Sequence, residues 1–158
     1  MVDTNSNIFY ILKDSSIDYD VVMSCGLNGT ALLSGRLDRP VSPIPTTDIK
    51  NQSWSFVSVL DEPNTYYLRN DSDIYLKKNT IGNGVLGCDA ASSSKWELVD
   101  VSICIPPSDC TIKCKIKEKG ASGSYLQRNS NSIVLGGSSE TAVIWDVQVQ
   151  SEWPIIIE

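Results

Sequence analysis

The chain repeats itself, and that repeat constrains its fold more than any other feature. Ile74-Tyr75-Leu76-Lys77-Lys78-Asn79, then Val85-Leu86-Gly87, then Trp96 form one copy. Ser124-Tyr125-Leu126-Gln127-Arg128-Asn129, then Val134-Leu135-Gly136, then Trp145 form the next. Tyr75 and Tyr125 are 50 residues apart, whereas Leu86 and Leu135, like Trp96 and Trp145, are 49 apart. In both copies the tryptophan lies nine positions after the glycine. A fixed period of this length means one supersecondary unit used several times around a shared core.

A third copy precedes these two. Tyr19-Asp20-Val21-Val22-Met23-Ser24 takes the first place, Leu32-Leu33-Ser34-Gly35 the second and Trp54 the third. Here the glycine lies 19 residues before the tryptophan, so about ten extra residues fall between Arg36 and Lys50. Pro40, Pro43 and Pro45 stand in that insertion, and a polar, proline-rich stretch between strand signals reads as a surface loop.

Each copy reads as four short strands. They are expected near 9–12, 20–24, 31–34 and 54–59 in copy one. Copy two places them near 66–69, 74–78, 85–87 and 96–101, and copy three near 112–117, 124–128, 133–135 and 142–149. Asn28-Gly29 and Asn83-Gly84 join the second and third strands of copies one and two, and Ser130-Asn131 holds that place in copy three. Asn-Gly suits a two-residue hairpin because both positions need positive φ. Ile112, Cys114 and Ile116 alternate with Lys113, Lys115 and Lys117, the period of a half-buried strand. The lysine row reads as a solvated face that resists edge pairing, with an anion-binding stripe as the sharper alternative.

The expected fold class is therefore all-β, with twelve strands in three repeats (about 7–60, 61–103 and 110–150) and a C-terminal tail, 151–158. One domain covers 1–158. This pattern resembles the β-trefoil, a pseudo-threefold barrel, with Trp54, Trp96 and Trp145 expected in its core.

Composition removes several functions. There is no histidine, so no Ser-His-Asp or Cys-His nucleophile and no histidine-held metal is available. Asp18, Asp20, Asp71 and Asp73 read as solvated turn acids and not as a catalytic pair, so no enzyme activity is expected. A net charge of −6 opposes nucleic-acid binding and an anionic membrane surface. Met1 to Tyr10 shows no basic and apolar leader, and no apolar run is long enough to span a bilayer. The expectation is a cytoplasmic protein without membrane insertion, with non-classical release as an extension. Five cysteines, an odd number without a leader, suggest reduced thiols. Cys110 and Cys114 with Cys104 raise a zinc site, but buried thiols are the simpler reading, so no metal or cofactor is expected.

The trefoil class includes ricin-type lectins and several inhibitor families, so loops and exposed side chains must decide. Ricin-type lectins carry Gln-x-Trp in each repeat. Gln52-Ser53-Trp54 matches, whereas Ser94-Lys95-Trp96 and Val143-Ile144-Trp145 do not. The resemblance to mushroom ricin-B-like lectins implies glycans or glycoproteins as partners. A sugar site needs an aromatic face and fixed polar groups, and Asp18, Tyr19, Asp20, Asn28 and Asn51 are its candidates. Tyr75 with Asn79, and Tyr125 with Asn129 and Asn131, are further candidates. Gly35-Arg36-Leu37-Asp38-Arg39-Pro40-Val41 followed by Gln52-Ser53-Trp54 is similar to the first-repeat loop of mycocypin protease inhibitors. That alternative implies protease partners met through the Arg36–Pro45 loop, with Arg36, Arg39 and Pro40 on it, or around Asn70. The Glu152-Trp153-Pro154 tail with Ile155, Ile156 and Ile157 reads as a homodimer contact or as a segment folded back over the barrel.

Overall fold

The computed structural model describes residues 8–16, 21–26, 29–35, 44–45, 50–78, 86–90, 94–100, 112–120, 123–130, 132–149 and 156–157. Copy one contributes β1 (Tyr10–Asp14), β2 (Val21–Cys25), β3 (Ala31–Gly35), a short β4 (Ile44–Pro45) inside the insertion, and β5 (Trp54–Ser58). Copy two contributes β6 (Thr65–Asn70), β7 (Tyr75–Lys77), β8 (Gly87–Asp89) and β9 (Trp96–Asp100). Copy three contributes β10 (Ile112–Glu118), β11 (Tyr125–Asn129), β12 (Ser132–Gly137) and β13 (Trp145–Val149), and β14 (Ile156–Ile157) follows.

The first and last strands of the copies close a ring. β1 pairs with β5, β5 with β6, β6 with β9, β9 with β10, β10 with β13, and β13 returns to β1. All these pairings are antiparallel. The middle strands form three hairpins, β2–β3, β7–β8 and β11–β12. These meet across one end of the barrel, where Thr30 bridges Gly87, Ser132 pairs with Leu32, and Leu86 N–H donates to the Ile133 carbonyl at 3.2 Å. Among the described residues the result is a β-trefoil of three four-strand units with two additional short strands.

The period explains the core. Trp54, Trp96 and Trp145 open the fourth strands and are each 0% exposed. Leu12, Met23, Phe56, Leu68, Leu76, Ile116 and Leu126 fill the space around them. Burying one such indole removes on the order of 200 Å² from water, or about 5 kcal/mol of transfer free energy. The polar end of each indole behaves differently. Trp54 Nε1 donates to the Met23 carbonyl at 3.1 Å, and Trp96 Nε1 donates to the Leu76 carbonyl at 3.3 Å. Trp145 Nε1 is buried without a hydrogen-bond partner. The Leu126 carbonyl, which the repeat would assign to it, accepts the Val143 N–H at 3.0 Å.

Local chemistry sets the turns. The β11–β12 register pairs Asn129 with Ser132, leaving Ser130-Asn131 as a two-residue loop, and Ser130 adopts φ of 56° as that turn requires. Along β10, Cys114 and Ile116 are fully buried while their lysine neighbours face outward. These lysines reach acids on the adjoining strands: Lys113 to Asp146 at 3.7 Å, and Lys117 and Lys119 to Glu97 at 3.7 and 3.5 Å. Surface pairs of this kind contribute about 0–1 kcal/mol each. They make the row a cross-strand charge ladder.

One expectation changes. Cys25 and Cys88 form a disulfide with Cα atoms 6.0 Å apart, so the expectation of reduced thiols fails for this pair. The bridge fastens the end of β2 to β8 in the next copy, and such bonds persist where the surroundings are oxidising. Cys114 is buried and outside this disulfide, whereas Cys104 and Cys110 lie outside the described residues. In addition, β14 pairs in parallel with β4, Ile156 opposite Ile44 and Ile157 opposite Pro45, so the tail backbone meets the copy-one insertion.

Candidate functional site

Three equivalent backbone bonds define the seams between copies. Asp71 N–H donates to Ser53 O at 2.9 Å, Lys119 N–H to Lys95 O at 3.0 Å, and Ser15 N–H to Ile144 O at 3.0 Å. The residues just before these donors, Asn70, Glu118 and Asp14, end the first strands of the copies. The equivalent positions two beyond Met23, Leu76 and Leu126 of the second strands are Cys25, Lys78 and Arg128, and the last two reach Glu118 and Asp14. The fold thus builds the same junction three times with different chemistry.

Between copies two and three the junction is a cleft of about 540 Å³ lined by Lys78, Lys95, Lys119, Glu62 and Glu118. Lys78 Nζ donates to Glu118 Oε1 and Lys95 Nζ to Glu62 Oε2, both at 2.7 Å. The Glu62 carboxylate bonded to it raises Lys95 above its ordinary value of 10.5.

Between copies three and one lies a cleft of about 380 Å³, lined by Asp14, Ser15, Ser16, Arg128 and residues 141–144. Asp14 is only 1% exposed. Its Oδ1 accepts Ser16 N–H at 3.0 Å and Ser16 Oγ at 2.7 Å. Its Oδ2 has no hydrogen-bond partner, and Arg128 Nη1 stands 3.8 Å away.

Between copies one and two the equivalent pair of positions carries no charge. Cys25 is in the disulfide, and Asn70 is 0% exposed. Asn70 Oδ1 accepts Ser72 N–H at 2.9 Å and Ile74 N–H at 3.1 Å, which caps the β6–β7 turn. Asn70, expected around an exposed inhibitory loop, is instead buried in the described structure, with its amide oxygen committed to the turn.

Asn51 sits at the same junction. Its carbonyl accepts Cys25 N–H at 3.2 Å, and its Oδ1 accepts Ser72 Oγ at 3.3 Å. Gln52 Nε2 donates to Ser34 Oγ at 3.0 Å, so the Gln-x-Trp glutamine ties the last strand of copy one to β3. Asp18, Tyr19, Asp20, Asn28, Arg36, Arg39 and Pro40 lie outside the described residues, as do Asn79 and Asn131. Tyr125 is half-buried opposite Gly137, and Asn129 is exposed opposite Ser132.

The outer face of copy two brings together the aromatic and polar groups that carbohydrate recognition uses. Arg69 pairs with Tyr75 across β6–β7, Tyr75 with Asp89 and Lys77 with Gly87 across β7–β8. Side chains alternate along strands, so Tyr67, Arg69, Tyr75, Lys77 and Asp89 share one face. The Tyr67 and Tyr75 rings meet edge to face at 6.3 Å, and both are half-exposed. Lys77 Nζ donates to Asp89 Oδ2 at 3.3 Å beside a recess of about 180 Å³ bordered by Gly29 and Gly87. Sequence reading found Tyr75 but missed Tyr67, Asp89 and Asp14. Asp14-x-Ser16 and Asn70-x-Ser72 are the same Asx-turn signal, and that parallel was the available clue to Asp14.

No protein-family model and no curated protein matches the sequence. Among solved structures, a Macrolepiota procera ricin B-like lectin in complex with lactose superposes with a TM-score of 0.62 at 14% identity. The match covers 94% of this chain and 99% of the lectin. The chain therefore has the β-trefoil fold of a mushroom ricin B-like lectin.

Proposed function

We propose that the protein binds carbohydrate and acts by binding alone. The observation that carries this reading is the near end-to-end likeness to a lectin in complex with lactose. The outer face of copy two supports it. Tyr75 and Tyr67 offer an apolar aromatic surface for the C–H face of a sugar ring. Lys77 and Asp89, both half-exposed, offer a donor and an acceptor 3.3 Å apart, the spacing that adjacent hydroxyls require. Glycans and glycoproteins are the corresponding partners.

A glycan array identifies the ligand, and calorimetry with the best hit measures it. Tyr75→Ala is expected to weaken binding about ten-fold, equivalent to about 1.4 kcal/mol. An array with no signal above background rejects the reading. Undiminished binding by Tyr75→Ala and Asp89→Asn removes this face as the site.

A further inference from the structure

The seam between copies one and two differs in kind from the other two. At those, the second-strand position reaches the first strand of the next copy through charge, Lys78 to Glu118 at 2.7 Å and Arg128 to Asp14 at 3.8 Å. In copy one that position is Cys25, and it is bonded to Cys88 on the third strand of copy two. A charge pair parts and re-forms without chemistry, whereas this link opens only by thiol exchange.

The covalent link ends one residue from the copy-two face. Cys88 is the middle residue of β8, a strand of three, and Asp89 follows it. The start of β8 has other anchors: Thr30 bridges Gly87, and Ala31 N–H donates to the carbonyl of the preceding Leu86 at 3.0 Å. Cys88 N–H donates to the Gly29 carbonyl at 2.7 Å. Asp89 is exposed, and its carboxylate meets Lys77 Nζ at 3.3 Å. Holding Cys88 against β2 therefore fixes where this acceptor stands, and a group fixed beforehand loses less freedom on binding. The bond also lies within reach of a reductant. Cys25 is only 5% exposed, but Cys88 is partly buried and borders the recess of about 180 Å³ that Lys77 and Asp89 line.

We propose that the Cys25–Cys88 disulfide is a redox switch on the copy-two face, holding it ready for sugar when oxidised and loosening it when reduced. The inference rests on the carbohydrate-binding reading above and adds its regulation. The reductant is a small dithiol, or two equivalents of a monothiol. One thiolate attacks Cys88 Sγ, forms a mixed disulfide there and expels Cys25 as a thiolate, which takes up a proton. A second thiolate attacks the reductant's sulfur in that mixed disulfide. Cys88 then leaves as a thiolate and is protonated, and the reductant departs as its own disulfide. Two electrons pass to the protein, and no other group changes oxidation state. The coupling is reciprocal: the factor by which reduction weakens sugar binding is the factor by which bound sugar disfavours reduction.

The experiment follows backbone amide resonances of the intact chain, oxidised and after dithiothreitol, during titration with lactose and with methyl glycosides of mannose and N-acetylglucosamine. Alkylation and mass spectrometry establish that both thiols have opened. Reduction is expected to move the Gly29, Lys77 and Asp89 resonances, to leave Ile116 and Trp145 in place, and to weaken sugar binding at least about five-fold. Saturating sugar should disfavour reduction in a glutathione buffer by the same factor. The double variant Cys25→Ala with Cys88→Ala should bind like the reduced chain and ignore dithiothreitol. Equal affinity before and after reduction overturns the switch and leaves the lectin reading standing. So does a bond that dithiothreitol cannot open in the folded chain, and so does collapse of the spectrum on reduction, the mark of a structural staple. No sugar-dependent shift in either redox state overturns both.

Discussion

The three core tryptophans provide an internal comparison. Replacing each with phenylalanine removes the same atoms from fully buried sites, so to first order the transfer and cavity costs cancel between variants. The indole N–H does not cancel. In Trp54→Phe and Trp96→Phe a hydrogen bond to Met23 or Leu76 is lost, worth about 1 kcal/mol net. In Trp145→Phe no bond is lost, and a buried unsatisfied donor disappears, which returns about 1–3 kcal/mol. Trp145→Phe should therefore be less destabilising than the other two by at least about 2 kcal/mol. For a chain of 158 residues that is roughly 4–8 °C in Tm. Urea unfolding followed by far-ultraviolet circular dichroism measures it, with the three midpoints compared at a common slope. If Trp145→Phe proves as damaging as the other two, the orphaned donor is not a real energetic feature and the argument fails.

Two further predictions follow from the seams. Opening the Cys25–Cys88 bridge frees a loop spanning a sequence separation of 63, which the chain-entropy model values at about 4 kcal/mol. Denaturant midpoints with and without dithiothreitol should differ by about 2–4 kcal/mol, and a peptide map without reductant should recover the two cysteines linked. The second prediction concerns Asp71, where partial burial raises the carboxyl above its ordinary value of 3.8, opposed by Lys50 and Arg69. The folded state then holds this proton more tightly than the unfolded chain, so stability falls as pH rises from 3.8 through the raised value. Asp71→Asn should stabilise the chain at pH 7 and lose that advantage below about pH 4. A pH-independent difference between the two proteins would exclude burial of this carboxyl as the cause.

The fold was legible because its signal is local and repeated. The 49-residue spacing of Trp96 and Trp145 places both indoles in one core by symmetry, and Ser130-Asn131 announces a hairpin by its position alone. The insertion before Trp54 was visible for the same reason, as a break in a known period. The site was less legible because its contacts are remote in sequence. Asp14 meets Arg128 across 114 residues and Lys78 meets Glu118 across 40, and no window of sequence shows either pair. Asn70 misled for a related reason. An exposed loop asparagine and a buried one that caps a turn look alike until the neighbouring copy is folded against it. Cys25 and Cys88 are joined between copies, at a position where the repeat elsewhere carries Lys78 and Arg128, so the period could not announce the pairing.

Barrel closure carries a consequence for how the chain is made. The five-residue ladder of β1 runs against β13, Tyr10 opposite Val149, whereas β1 meets β2 and β5 at one register pair each. β1 must therefore wait for β13 before its long edge is covered. During vectorial synthesis at about 5–20 residues per second, that edge stays open for roughly 7–28 s after Tyr10 is made. In that interval the edge is open to pairing with another strand, a consequence of the ring and not of any particular ligand.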